Sequence, residues 1–460
     1  CAASKLFIIE AYHPHPPLSN TGPCVFSGGN PLFGFANFLL LALFAAAVFD
    51  LIFALARGGG LRGALHGLWN TPHLLFGQQL AEWRLQLGRI LFAAGLAAYE
   101  ISVVFCNSMA RQNWAWVQGV MSPVLEWLAF LCFGAKILFG TRYTWRELLV
   151  GGALYFIVRW VYFNSQNIWW IGIVVAVLAA KDVPLRRPLQ VYFASGCAAM
   201  AVVLALHFAG IVAPDLTSER MGALRGTYGY GHPNTFGGLV FGLVLAYALL
   251  RAQKVRWVDC LLVFAVGVFL LVGPASRSAA LCTLALAVGL VFCRLRAGHS
   301  VPRWWPGACV GIVGLTAAVS YLLPLLVIKV GPWNNDIGPA WLAKLDSLLT
   351  CRISLTWMAY RLLDVKIAGQ VFNWPTVDNS FAFALFQFGP VVAALLGILF
   401  AAALWGHAKQ GRRVEVCCLF AMLAYAYMEV QPFHLTTNPT ALLLCGAVFA
   451  QTSARWQKIE

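Results

Sequence analysis

Long apolar runs separated by short polar segments form the basic pattern of this 460-residue chain. The runs are continuous, and many reach or approach the ~20 apolar residues that an α-helix needs to cross the hydrocarbon layer of a membrane. A membrane β-barrel would instead show short segments of alternating polarity. The pattern predicts about thirteen membrane-crossing helices, at 31–56, 85–106, 123–140, 146–164, 167–180, 189–212, 236–250, 256–273, 279–294, 306–330, 380–405, 414–429 and 438–453.

The composition supports the same class. Hydrophobic residues make up 60% of the chain, charged residues 11%, and the mean hydropathy is +0.75. Soluble domains carry about a quarter charged residues. We therefore expect an all-α polytopic bundle in a lipid bilayer, forming a single membrane domain over 1–460. The sequence begins at Cys1 rather than Met, so we expect a fragment or a processed or trimmed chain.

The basic residues predict the orientation of the bundle. The net charge of +15 does not indicate nucleic-acid binding, because no basic run with a recognition motif is present. Basic residues instead collect in loops that share one side if the predicted helices alternate, which marks that side as cytoplasmic. The opposite loops are then external, at 107–122, 213–235, 274–278, 331–379 and 430–437.

The longest external loop, 331–379, is the largest polar piece of the chain. Long loops in compact proteins are usually functional or disordered. This loop keeps apolar and aromatic side chains at helical spacing, which predicts an amphipathic helix that is re-entrant or lies on the membrane surface. These side chains are Trp341, Leu345, Leu348, Leu349, Ile353 and Trp357.

Arginines lie near the starts of three predicted helices on the external side. Arg220 and Arg225 precede the helix at 236–250, Arg277 precedes the next one that starts outside, and Arg352 and Arg361 lie in the long loop. Guanidinium groups and helix N-termini both favour phosphate. The pattern therefore predicts an external receptor for a pyrophosphate.

A structural interpretation of the same residues remains open. Asn234, Ser278, Asp378 and Asn379 are ordinary N-cap residues. Arginine near a membrane surface often reaches lipid head groups.

Candidate bases are scarce in the external segments. Asp378 is the first choice and His232 the alternative. Glu429 and His434 lie at the outer end of the helix at 414–429, where we expect Glu429 to be a solvated carboxylate. Tyr230 is placed to stack on a sugar, although interfacial aromatic belts explain such residues equally well. The cysteines show no metal-binding spacing, so we expect neither a metal nor another cofactor.

An ordered set of motifs resembles the Wzy-type polysaccharide polymerases, within the O-antigen ligase/polymerase superfamily. The stretch 225–238 resembles their RxxxGxxGHPNxxG segment, and Ser276–Ala279 resembles their SRSA turn. The remaining similar segments are 345–352, with Cys351 where glycine is common, then 369–370 and 377–389. Each motif is weak by itself, but their order and spacing match over residues 220–400. The related O-antigen ligases usually have His-Asn where this chain has Asp378-Asn379, which favours a polymerase.

The resemblance implies a GT-C-like membrane glycosyltransferase without a metal. Its substrates would be oligosaccharide repeat units carried on undecaprenyl pyrophosphate, joined outside the cytoplasmic membrane into a capsular or O-antigen-type polysaccharide. A flippase and a chain-length regulator of the same pathway would be its partners. Asp378 or His232 would accept the acceptor's proton, and Arg225 would act in catalysis. The residues expected to bind pyrophosphate or sugar are Arg220, Arg225, Arg277, Arg352, Arg361, Asn234, Asn379 and Tyr230.

Two alternatives remain. A ligase would transfer finished glycan to another acceptor by the same chemistry. A transporter of lipid-linked oligosaccharide belongs to another class, which inverted repeats and helices broken at the membrane midplane would indicate.

Overall fold

The structure is a computed structural model that describes residues 31–56, 61–71, 73–75, 82–167, 169–212, 218–220, 223–327, 339–372 and 375–449. The α-helices are α1 (Pro31–Ala56), α2 (Leu61–Asn70), α3 (Glu82–Cys106), α4 (Ala110–Asn113), α5 (Ser122–Phe139), α6 (Trp145–Ser165), α7 (Trp169–Ala179), α8 (Arg186–Phe208), α9 (Pro233–Leu250), α10 (Trp257–Val272), α11 (Arg277–Leu295), α12 (Trp305–Leu322), α13 (Ala340–Leu348), α14 (Arg352–Leu362), α15 (Ser380–Phe383), α16 (Pro390–Lys409), α17 (Arg413–Met428) and α18 (Cys445–Val448).

Short irregular elements complete the described part of the chain. Two antiparallel strand pairs join β1 (His73–Leu74) to β2 (Arg142–Tyr143) and β3 (Ser218–Arg220) to β4 (Ala223–Arg225). Segments Val117–Met121 and Ala384–Phe388 are π-helical, and Leu323–Leu326, Gln431–Phe433 and Pro439–Leu444 are 3₁₀-helical.

The predicted all-α membrane bundle is confirmed. Helical structure, in one case mostly 3₁₀, occurs within each of the thirteen predicted positions, of which residues 168, 328–330 and 450–453 lie outside the described residues. Eight helical segments in the described part of the chain are long and apolar enough to cross a membrane, and four shorter helices are apolar as well. Large apolar side chains such as Val272, Val288 and Leu315 are exposed on the outside of the bundle. The chain is therefore a multi-pass membrane protein whose outer surface suits lipid.

Helix α9 lies at the centre of the bundle. It packs against α8, α11 and α17, whereas the outer helices α12 and α16 pack mainly against each other. Inside the protein 72% of α9 is buried, against 22% for α12. A helix that is apolar all round is expected in such a position.

Glycines on α9 allow its neighbours to approach closely. A Cβ at Gly237 would overlap the side chain of Ser276, and one at Gly238 would overlap Gln431. One at Gly242 would lie 2.6 Å from the carbonyl oxygen of Thr436. The contact between α9 and the segment after α17 therefore depends on the absence of side chains.

Gly238→Ala is expected to destabilise the fold by about 2 kcal/mol, the usual cost of overpacking a tight contact. The new methyl group meets Gln431 and lies 2.8 Å from the Tyr425 hydroxyl. The thermal midpoint of the purified protein measures the effect. Gly397→Ala in α16 is the matched control, because nothing lies within 4 Å of its Cβ position. An equal loss in both variants would contradict the packing argument.

Three central helices connect the same two ends of the bundle. Helices α9 and α11 start at the end that holds Ser276 and finish near Leu250 and Leu295, whereas α17 runs the opposite way. The 18-residue α9 spans roughly 27 Å at 1.5 Å per residue, close to the hydrocarbon thickness of a bilayer.

The segment predicted as one helix at 380–405 is interrupted. It consists of α15, the π-helical residues 384–388 and α16. Gly389 has a φ of 86°, and Pro390 lacks the backbone N–H that would continue the preceding helix. The break lies beside residues 366–370, because a Cβ at Gly389 would overlap the carbonyl oxygen of Ile367.

The long loop contains two helices, α13 and α14, where a single amphipathic helix was expected. Leu342 and Ile353 are buried with Val327, and Leu345, Leu349 and Trp357 pack around them. Trp341 and Leu348 are exposed. The periodicity therefore located helical structure correctly, but the chain turns between Leu349 and Cys351.

Candidate functional site

Six polar side chains form one connected cluster, the Glu429 network: Arg225, Asn234, Ser278, Arg352, Asp378 and Glu429. Glu429 Oε1 accepts hydrogen bonds from Asn234 Nδ2 at 3.1 Å, Ser278 Oγ at 2.8 Å and Arg352 at 2.7 Å. Arg225 donates to Asn234 Oδ1 at 2.9 Å, and Arg352 Nε lies 3.7 Å from Asp378 Oδ2. The network joins segments that are far apart in the sequence.

Strand pairing and a tight turn position Arg225. Arg225 ends β4 opposite Ser218, and its guanidinium also donates to the carbonyl oxygen of Ala275 at 3.2 Å. The next turn has φ values of 51° at Tyr228 and 81° at Gly229, where glycine is favoured. Arg225 is 6% exposed, so its guanidinium is held inside the protein rather than on its surface.

His232 caps α9, which replaces the N-cap expected at Asn234. Its Nδ1 accepts a hydrogen bond from the backbone N–H of Asn234, and Pro233 occupies the first helical turn. Asn234 lies one position further inside the helix, and its side chain reaches the network. A neutral imidazole that accepts at Nδ1 carries its proton on Nε2. His232 in this state is a donor at Nε2 and not a base.

The start of α14 positions Arg352. Asp346 in α13 is fully buried and accepts hydrogen bonds from the backbone N–H groups of Ile353 at 2.8 Å and Ser354 at 3.1 Å. This carboxylate therefore caps α14 from the preceding helix. Arg352 Nη1 also donates to the carbonyl oxygen of Leu349. The turn between α13 and α14 thus fixes the guanidinium against Glu429.

Cys351→Gly is expected to stabilise the protein by about 1 kcal/mol, because an L side chain in the left-handed region is strained. Cys351 has a φ of 65°. The thermal midpoint should rise. Ala343→Gly, inside α13, provides the control and should lower the midpoint, since glycine weakens a helix interior. A fall in both variants would contradict the strain at Cys351.

Asn379, not Asp378, caps α15. Asn379 Oδ1 accepts from the backbone N–H groups of Phe381 at 2.9 Å and Ala382 at 3.2 Å, and its Nδ2 donates to Ser320 at 3.2 Å. Its side chain therefore serves the helix start and the contact with α12. Asp378 is left facing Arg352, and its side chain is 32% exposed. It is the accessible carboxylate of the network.

Comparisons with known proteins assign no family to this arrangement. No protein-family model matches the chain, no curated protein matches it, and no solved structure matches it.

Five of the predicted binding residues lie outside the network, and one of them is Asn379, which caps α15. Arg277 is exposed, although its neighbours Ser276 and Ser278 are buried at the start of α11. Arg361 is exposed and stacks on Trp357, with 5.5 Å between the guanidinium and the ring centre. The backbone of Arg220 pairs with Ala223 in the β3–β4 hairpin.

Tyr230 is a core residue. It is fully buried, its ring lies 5.6 Å from that of Phe236, and its backbone bridges to Ser108. The ring supports the turn before α9 and does not face a surface where a sugar would stack.

Glu429 is the residue that the sequence interpretation underrated. It was expected at the head-group boundary as a solvated carboxylate, but it is 5% exposed. It is the first residue after α17, and burial raises the pKa of its carboxyl group to about 7, while Arg352 opposes that shift. A glutamate at the end of an apolar helix was the sequence signal that could have marked this residue as functional. The partners of Glu429 could not be found from local spacing, because they lie far away in the sequence.

The network combines fixed cations with two carboxylates of different exposure. Arg352 has a 10% exposed side chain and contacts both Glu429 and Asp378. Asp378, with its 32% exposed side chain, gives the network an accessible side. Such an arrangement is suited to neutralising an anion beside a proton acceptor.

Proposed function

We propose that this protein is a membrane glycosyltransferase that polymerises oligosaccharide repeat units linked to undecaprenyl pyrophosphate, on the outer face of the cytoplasmic membrane. The observation that carries the proposal is the Glu429 network. Five of its six members come from the segments 225–238, 276–279, 345–352 and 377–389, which resemble the motifs of Wzy-type polymerases, and the sixth is Glu429 itself. Segments that merely capped separate helices would have no reason to share one buried carboxylate.

The cationic groups support binding of a pyrophosphate at this end of the bundle. Arg352 is held by Glu429 and presents its Nε near Asp378. Arg277 extends from the first position of α11, next to Ser278 of the network. The N-termini of α9 and α11 lie at the same end, and both helix ends favour anions. Arg225 supports this arrangement by holding Asn234 and the loop at Ala275 in place.

The proposed reaction exchanges one bond at the anomeric carbon. A hydroxyl oxygen of the incoming unit forms the new glycosidic bond, and the bond between the anomeric carbon and the pyrophosphate oxygen breaks. Undecaprenyl pyrophosphate leaves with the electron pair. The proton of the attacking hydroxyl passes to Asp378, since His232 uses its Nδ1 lone pair in the cap of α9. The leaving group needs charge neutralisation more than a strong acid.

The test uses the lipid-linked oligosaccharide that accumulates in cells lacking this chain. Purified protein in detergent is incubated with that material, and the products are separated by length. A ladder of repeats is expected. A single transfer to a different acceptor would support a ligase instead. In that case the cells lacking this chain would accumulate long polymer on the carrier, and not single repeat units.

The same experiment distinguishes a transporter. In detergent there is no closed membrane to cross, so a transporter produces no new glycosidic bond. Unchanged substrate in the presence of folded, monodisperse protein would overturn the proposal.

A further inference from the structure

A second polar site lies at the opposite end of the bundle from Glu429. A cavity of about 730 Å³ opens between the starts of α3, α8 and α17 and the ends of α9 and α11. Its volume is within the range of small-molecule sites, roughly 300–1,000 Å³. The connecting helix α9 places this cavity roughly 27 Å from the Glu429 network.

The cavity carries a large excess of positive charge. Seven basic and two acidic side chains line it, an excess of five positive charges. One acidic residue, Asp182, is already paired with Arg142 at 3.8 Å. The other is Glu415, in the first turn of α17.

Four of the cations have no protein partner in the described ranges. Arg89, Arg186, Lys254 and Arg294 line the cavity and are exposed, and no ion pair joins them to a described carboxylate. Cations gathered in one concave space repel one another, and a bound anion relieves that repulsion. They come from four different segments of the chain, so the packing of the helices brings them to one cavity.

Two helix starts add to the same field. Helices α8 and α17 begin at the cavity, and their positive ends favour an anion there. The residues before these starts, Leu185 and Arg412, have no acceptor atom in their side chains, so they leave the first backbone N–H groups to other partners.

The inner lining of the cavity is apolar. Leu189, Leu249 and Leu443 line it and are buried, whereas the four cations that have no partner in the described ranges are exposed. The site therefore offers cations at its mouth and an apolar surface within. This combination matches a phosphate group attached to an organic or lipid body.

We infer that this cavity binds a phosphate-bearing anion, at a site separate from the Glu429 network. Arg186 and Arg294 contact the phosphate, and the adjacent Arg187 does not, because Arg187 does not line the cavity. The inference does not rest on the proposed transferase function.

Thermal unfolding of the purified full chain in neutral detergent tests this inference, with inorganic pyrophosphate and short-chain phosphatidylglycerol titrated separately. Short-chain phosphatidylcholine is the head-group control. Arg186→Gln should weaken the apparent affinity by about tenfold, the usual effect of losing one charged hydrogen-bond donor. Arg187→Gln removes another exposed charge from the same helical turn and should change the affinity less than twofold.

The two titrations also identify the source of the phosphate. If phosphatidylglycerol stabilises the protein and pyrophosphate does not, the site binds a lipid head group. If pyrophosphate stabilises the protein, the site binds a soluble phosphate. Either result supports the site if it depends on Arg186. Equal effects of Arg186→Gln and Arg187→Gln, or no stabilisation by either probe, would overturn it. A second pair of variants repeats the comparison away from the start of α8. Arg294→Gln removes a cation that lines the cavity, and Arg303→Gln is its control because Arg303 does not line it.

Discussion

Arg352→Ala lowers the rate of glycan polymerisation by on the order of a thousandfold, the upper range for losing one fixed donor to developing charge. Arg352 is the cation that contacts both carboxylates of the network, at 2.7 Å from Glu429 and 3.7 Å from Asp378. Its removal takes away the proposed pyrophosphate contact and leaves the two carboxylates to repel each other. The rate is measured from the appearance of ladder products with purified protein.

Arg361→Ala is the matched control for this result. Arg361 lies on the same helix, α14, but it is exposed and stacks on Trp357. Its loss should change the rate less than threefold, on the order expected of a surface contact.

Arg352→Lys separates charge from geometry. Lysine keeps one positive charge but lacks the planar fork of donors, so partial recovery of the rate is expected. Full activity of Arg352→Ala, with the protein folded and monodisperse, would remove Arg352 from the mechanism.

Glu429 makes the stability of the fold depend on pH. Burial raises the pKa of this carboxyl from 4.5 to about 7. Between these values the folded protein holds a proton that the unfolded chain has released. The contribution of Glu429 is therefore present in full below pH 4.5 and is lost as the pH rises through about 7. The loss is on the order of 3 kcal/mol from the size of the shift.

Glu429→Gln should remove this dependence. The difference in unfolding free energy between wild type and variant is measured across the same pH range, so that the titration of other groups cancels. The wild type should lose stability relative to Glu429→Gln as the pH rises. Glu82→Gln, an exposed glutamate in the first turn of α3, should leave the wild-type profile unchanged. Parallel profiles for wild type and Glu429→Gln would contradict the prediction.

The membrane helices were predictable because a long apolar run by itself indicates a segment surrounded by lipid or by other apolar helices. The predicted span 31–56 and helix α1 have the same bounds, since the apolar run starts and stops with the helix. The interruption at Gly389–Pro390 was missed because the apolar run continues across it. Glycine followed by proline is a local signal for a break, which hydropathy alone does not detect, and in the structure Gly389 does take a positive φ.

The candidate site was predictable in part for a similar reason. Arg225, Arg352 and Asp378 were chosen by residue type and by their place near helix starts, and they meet in one network. Glu429 was not recognised as its centre, because Asn234 is 195 positions away and Ser278 is 151 positions away. Such contacts follow from how α9, α11 and α17 pack. The N-cap interpretation failed at Asn234 since His232 took that role two residues earlier than expected.

Under the proposed function, the contacts of Arg352 with two carboxylates affect the rate of turnover. Arg352 already has internal counter-ions, so an arriving diphosphate competes with Asp378 and Glu429 for the same positive charge. Part of the attraction for the substrate is offset by the displaced carboxylate. After the glycosidic bond forms, Asp378 holds the proton of the attacking hydroxyl. Once it releases that proton to water, the carboxylate can return to Arg352 and expel the spent carrier. The same exchange that weakens binding would thus hasten release, which a polymerase must complete once for every unit it adds.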